Sequence, residues 1–147
     1  MGMVYANIEL INADDLAMVR RNIIGEDEVK SIHVNMLVDT GAYMLSINEN
    51  IQEYLQLPFV RKQKFVTANG KVEEFDVVGP LEVRFKDRNS FCTALVLEGN
   101  AEPLLGAIPM EEMDVMVHPN RQELVGNIEH PERSILKLKG LRKIKNT

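Results

Sequence analysis

Residues 29–42 read VKSIHVNMLVDTGA. Val29, Ile32, Val34, Met36 and Val38 recur at mostly period-two spacing, which predicts a strand over residues 29–38. The run stops at Asp39-Thr40-Gly41. A carboxylate set at the end of an apolar strand loses hydration, so it needs hydrogen-bond partners or must hold a proton. Taken alone, the tripeptide is an Asx turn whose aspartate oxygens accept turn amides. Its surroundings decide whether it is more than that.

Upstream, residues 4–11 (VYANIELI) alternate loosely and predict a strand. Asp14 then opens DDLAMVRRNI, with acids leading and Arg20 and Arg21 trailing, the charge order of a short helix. Gly25 and the acids Glu26, Asp27 and Glu28 mark a turn before the central strand. Downstream, residues 44–47 are apolar, and Asn48 opens NENIQEYLQL, whose Ile51, Tyr54 and Leu55 have helical spacing, closed by Pro58.

β signals follow in quick succession. Residues 64–68 and 71–78 flank Asn69-Gly70, a strong hairpin signal because both turn residues tolerate positive φ. Gly79-Pro80 is expected to break the chain, residues 81–85 alternate, residues 87–90 turn, and residues 91–97 form another strand. Leu104-Leu105-Gly106 precedes AIPMEEMDVM, a short helix with Pro109 tolerated in its first turn. Residues 115–118 and 123–125 flank Pro119-Asn120-Arg121 and predict a closing hairpin. So many strands with only short helical patterns between them predict a mainly β barrel or sandwich.

Composition narrows the function. With 147 residues, 45% hydrophobic, the chain suits one domain and is too short for a cofactor domain plus a substrate domain. A single cysteine, Cys92, excludes an intrachain disulfide framework and a zinc site built mainly of thiolates, and points to a reducing, cytoplasmic address. His33, His118 and His130 lack metal-ligand spacing, so no metal and no cofactor is expected. The first basic residue is Arg20 and no run approaches eighteen apolar residues, so neither a secretory leader nor a membrane span is expected.

The net charge of −5 hides an uneven distribution. Residues 1–132 carry 11 Lys and Arg against 22 Asp and Glu, whereas residues 133–147 carry six basic side chains and no acid. This basic tail has no aromatic residue to stack on bases, and is expected to be a solvated or partner-docking end rather than a nucleic-acid site. Cys92 in its alternating strand is expected to be a small buried hydrophobe, and Met110, Met113 and Met116 to fill core or dimer gaps. Glu111, Glu112 and Asp114 are expected to face solvent.

Leu37-Val38-Asp39-Thr40-Gly41-Ala42 resembles the active-site signature of the retropepsin-like aspartic proteases. The likeness continues in order: a hairpin flap at Ala68, Asn69 and Gly70, an apolar-apolar-Gly segment at Leu104, Leu105 and Gly106, and a short helix over residues 108–114. Residues 102–125 are similar to the C-terminal part of the short bacterial members, and the resemblance spans roughly residues 4–126. It implies an all-β acid-protease barrel with one short C-terminal helix over residues 1–132, leaving residues 133–147 as an appendage.

The resemblance also implies a function, an aspartic endopeptidase. Peptide hydrolysis without a metal can use two carboxylates sharing one proton, one activating water and the other polarising the carbonyl. This chain holds one Asp-Thr-Gly and no Asp-Ser-Gly, so a pair requires a symmetric homodimer supplying Asp39 twice. By the same resemblance, Thr40 would hold the opposing loops in register, Gly41 would allow close approach, and Ala42 would keep the cleft floor small. Residues 68–70 would close over an extended peptide or protein substrate, and Leu104, Leu105 and Gly106 would pack beneath the loop. Two positions depart from the viral pattern, Tyr43 in place of an acid and Ala107 in place of an arginine. They motivate an alternative, a non-catalytic module that keeps the fold and grips peptides.

Overall fold

A computed structural model describes residues 2–138 of the chain. Nine strands and three helices follow in the order β1 (Tyr5–Asn12), α1 (Ala13–Arg20), β2 (Ser31–Val38), β3 (Leu45–Asn48), α2 (Glu49–Leu55), β4 (Phe59–Val66), β5 (Val72–Phe85), β6 (Arg88–Leu97), β7 (Leu104–Leu105), α3 (Ala107–Met113), β8 (Val115–Val117) and β9 (Leu124–Gly126). The protein is mostly β, as expected, but it carries two helices beyond the single C-terminal one that the resemblance implied.

Local chemistry accounts for those two helices. The Asn12 side chain accepts from Asp15 N–H at 3.1 Å and caps α1. Asn48 does the same for α2 through Ile51 N–H at 2.9 Å, and Gln56 in left-handed conformation ends that helix. The buried Asn12 also donates to Leu55 O at 2.9 Å, tying the start of α1 to the end of α2.

Strands β1 to β7 form one sheet in the order β1-β2-β7-β3-β6-β5-β4, and an additional β1–β5 pairing returns the circuit to its start. β8 and β9 form the expected hairpin, as a sheet of their own. The circuit depends on β5. Gly79-Pro80 does not break the chain: residues 72–85 are one strand, with a register shift between Val78 and Leu81. The bulge absorbs the missing proline N–H, and a side chain at Gly79 (φ 150°) would lie 3.1 Å from Thr93 Cα, so glycine lets the strands close up. The first half of β5 pairs with β4, and Leu81–Arg84 pairs with β1 Asn12–Glu9.

Side chains from both halves of the circuit fill the core. Ile8, Leu10, Met36, Leu45, Ile47, Leu81, Leu105 and Met113 are fully buried in one cluster. Met44, Val77 and Leu95 form a satellite cluster, flanked by Phe65 and Phe75, whose rings meet edge-to-face at 6.0 Å. Among the described residues no helix is long and apolar enough to cross a membrane. Of the basic tail at residues 133–147, residues 139–147 lie outside the described residues.

Candidate active site

β2 delivers Asp39 to the surface and β7 holds it there. Leu37 and Val38 pair in parallel with Leu104 and Leu105, while Leu104 pairs antiparallel with Ser46 on β3, so the two-residue β7 is wedged between the strands that enter and leave the loop. Asp39 N–H donates to Leu105 O at 3.0 Å. Ala42 N–H donates back to Asp39 O at 3.1 Å, and Gly41 N–H donates to Asp39 Oδ1 at 3.0 Å. The Asx turn is therefore real, and it leaves the carboxylate half-buried rather than enclosed.

α3 closes the loop from below. Ala107 N–H donates to Ala42 O at 2.8 Å and Ile108 N–H to Tyr43 O at 3.1 Å. A Cβ on Gly106 would lie 2.3 Å from Met44 O and 2.9 Å from Ala42 O, so only glycine fits between the loop and the helix. Residues 39–42 and 104–106, far apart in sequence, are thus one structural unit. Leu105 is fully buried, Ala42 half-buried, and Thr40 and Gly41 exposed. A Cβ at Gly41 would press on Asp39 Oδ1 at 3.3 Å, so a small residue there keeps the carboxylate where it is.

The hairpin tip is not joined to this unit. Among the described residues, the hydrogen bonds of residues 68–70 stay within the hairpin. The turn differs from the expected two-residue Asn-Gly turn. Gly70 N–H donates to Thr67 O at 2.9 Å and Thr67 N–H to Lys71 O at 2.7 Å, giving a three-residue loop in which only Gly70 (φ 83°) is left-handed. The Thr67 hydroxyl, bonded to Asn69 and at 3.1 Å to Lys71 O, favours the longer loop. The stem connects to the site through packing: Phe65 and Phe75 lie against Val77, Leu95 and Met44, which follows the Asp39 loop in sequence.

Several apolar side chains in this part of the molecule are exposed, a property that periodicity in the sequence does not report. Val66 and Val72 face each other beside the tip, 73% and 64% exposed. Tyr43 is 68% exposed beside Ile108. A concavity of about 760 Å³ next to the stem is lined by Glu49, Glu73, Glu74, Asp76 and Glu98 together with Phe75 and Val96, and not by Asp39.

Cys92 is half-buried rather than fully buried, packed against the core, and burial, aided by Glu112, pushes its thiol up to about 12. Met110 and Met113 are buried in the core. Among the described residues no group of three His, Cys, Asp or Glu is disposed to hold a metal ion. Glu111 and Glu112 are exposed, but Asp114 is not the solvated acid expected. Left-handed at the end of α3, it accepts from His130 Nδ1 at 2.5 Å, Asn127 Nδ2 at 3.0 Å and Ile135 N–H at 3.0 Å. Burial pushes its pKa up, but those donors more than offset this and hold it at about 2. The sequence signal was faint, since Arg88, Asp114 and His130 come from three separate segments.

An Asp-Thr-Gly loop bedded on a Leu-Leu-Gly strand within a mainly β domain defines the aspartic-protease class. A family model described as gag-polyprotein putative aspartyl protease matches residues 27–119, from the turn before β2 through β8, and the chain belongs to this retropepsin-like aspartyl protease family. No curated protein matches the chain.

Proposed function

We propose that this protein is an aspartic endopeptidase that works as a homodimer in the cytoplasm, with Asp39 of each subunit forming a shared-proton pair. The observation that carries the reading is the loop itself. Its backbone is pinned from three sides, while the carboxylate at its centre stays half-exposed at the surface with one oxygen engaged by Gly41 N–H. Rigid backbone around an accessible acid is what general acid–base chemistry requires.

In the dimer, the two carboxylates lie too close for both to ionise, so the pair holds one proton. The ionised member takes a proton from water, which attacks the peptide carbonyl carbon. The protonated member donates to the carbonyl oxygen, and the resulting tetrahedral species breaks its C–N bond as the amine takes the proton first drawn from water and the other carboxylate takes one back from a hydroxyl. Thr40 keeps the two loops in register, and the exposed Val66–Val72 pair gives the hairpin lid an apolar tip for an extended peptide or protein substrate. The β1–β5 pairing that returns the strand circuit to its start supports a retropepsin-like barrel for residues 1–132. Metal, cofactor, nucleic acid and membrane have no part in this reading.

The test is turnover of a peptide library between about pH 4 and 7 by protein of measured oligomeric state, with a transition-state-analogue inhibitor as control. Dimer-dependent cleavage that the inhibitor blocks supports the reading; a strictly monomeric protein defeats it. The alternative, a peptide-binding module without turnover, is favoured by exposed Tyr43 and by Ala107 beside the loop. Peptide binding by a dimer that cleaves nothing would establish it.

A further inference from the structure

We propose that Arg88 is a positioning residue for the Asp39 loop, acting through α3 from the end of that helix farthest from the loop. The inference rests on the reading of Asp39 as the reacting carboxylate and adds to it a residue from a different strand.

The Arg88 side chain is 2% exposed. A guanidinium does not lose its proton to escape burial, so its charge needs acceptors, which both Nη atoms find although the buried Nε does not. Nη1 donates to Asp114 O at 2.7 Å and Met113 O at 3.4 Å, Nη2 donates to His130 O, and the Asp114 carboxylate lies 3.6 Å from Nη1. The last carbonyls of a helix carry the negative end of its dipole, so the cation caps α3. Gly126 completes the seat. A Cβ there would lie 2.7 Å from Nη2 and 2.9 Å from Cζ, and a guanidinium held by three carbonyls cannot swing aside cheaply.

The other end of α3 is the loop. The helix has seven residues, about 10 Å of length. Ala107 and Ile108 N–H grip Ala42 O and Tyr43 O, Ala42 N–H holds Asp39 O, and Gly106 leaves no slack against Met44 O. Pro109 and Met113 are fully buried, so the helix moves as a body or not at all. Fixing its C-terminal end from β6 therefore fixes where the loop sits. That matters because a displacement of about 1 Å at a reacting group costs about a hundredfold in rate.

The experiment compares wild type, Arg88→Met and Arg88→Lys by NMR-detected amide exchange and by peptide turnover across pH. In Arg88→Met, the Asp39, Ala42, Ala107 and Ile108 amides should exchange at least tenfold faster. Its kcat should fall roughly ten- to a hundredfold with KM within about twofold, and the acid limb of the pH profile should shift as the spacing of the two carboxylates changes. Arg88→Lys, which keeps the charge but only one donor nitrogen, should recover part of both. Faster exchange confined to residues 113–135, with loop amides, kcat and pH profile unchanged, would overturn the proposal. Should Arg88→Met fail to fold, Gly126→Ala displaces the guanidinium without removing it and is read the same way. A wild-type protein that cleaves nothing defeats the functional reading, while the exchange measurement still decides this one.

Discussion

The carbonyl of Met44 occupies the space where a side chain on Gly106 would begin: an added Cβ would stand 2.3 Å from that oxygen. Two segments distant in sequence thus meet backbone to backbone, and the contact determines how closely α3 approaches the candidate loop. Gly106→Ala should cost about 3 kcal/mol, the upper end of ordinary overpacking, because neither backbone has a free direction to yield. Urea denaturation checks the stability. Peptide turnover should fall by more than the loss of folded protein accounts for.

Asp39→Asn separates chemistry from folding. The amide oxygen can still accept from Gly41 N–H, so stability should change by less than about 1 kcal/mol. It cannot exchange a proton with water, so turnover should fall by at least about a thousandfold. Retained cleavage in the pure variant would refute the proposed chemistry.

Asp114 makes stability depend on acid. Its carboxyl titrates at about 2 in the folded protein, below its ordinary 3.8, so the unfolded chain binds its proton first as pH falls. The stabilisation is fully present above pH 4 and is lost as pH drops through about 2. Asp114→Asn should therefore be less stable than wild type at pH 7, with the gap narrowing from pH 4 and closing near pH 2. Denaturant midpoints measured at several pH values check it.

Cys92 should behave as an inert side chain until the protein opens. With its thiol pushed up to about 12, thiolate is scarce at pH 8. Alkylation of the native protein should run roughly a thousandfold slower than in urea, where the thiol returns to its ordinary range. Equal rates would show that the native fold does not suppress the Cys92 thiolate.

Gly70→Ala tests the hairpin tip. Nothing lies within 4 Å of the added methyl, so the cost comes from the positive φ alone, about 1 kcal/mol. Thermal unfolding should shift by a few degrees. If the tip is a lid, KM and kcat should change together, because lid closure contributes to both.

Much of this molecule was legible before its structure. Alternation predicted β1, β2 and β6, Asn48 stands where the cap of α2 belongs, and Asp-Thr-Gly following an apolar strand identified the loop that holds the candidate acid. Each of these is a local property: the period of side chains along a strand, or an oxygen within reach of an amide three residues on.

Tertiary structure decided the rest. Only the folded chain reveals that Gly79-Pro80 is a bulge within one strand, that two residues of β7 slot between β2 and β3, and that Arg88 reaches the far end of α3. Pairing register and the partner of a buried charge depend on which distant segments close the core, and no local pattern encodes that. Asp114 follows Glu111 and Glu112 at the end of a short helix, a setting that predicts solvent, whereas its actual surroundings are an arginine from β6 and donors from residues 127–135.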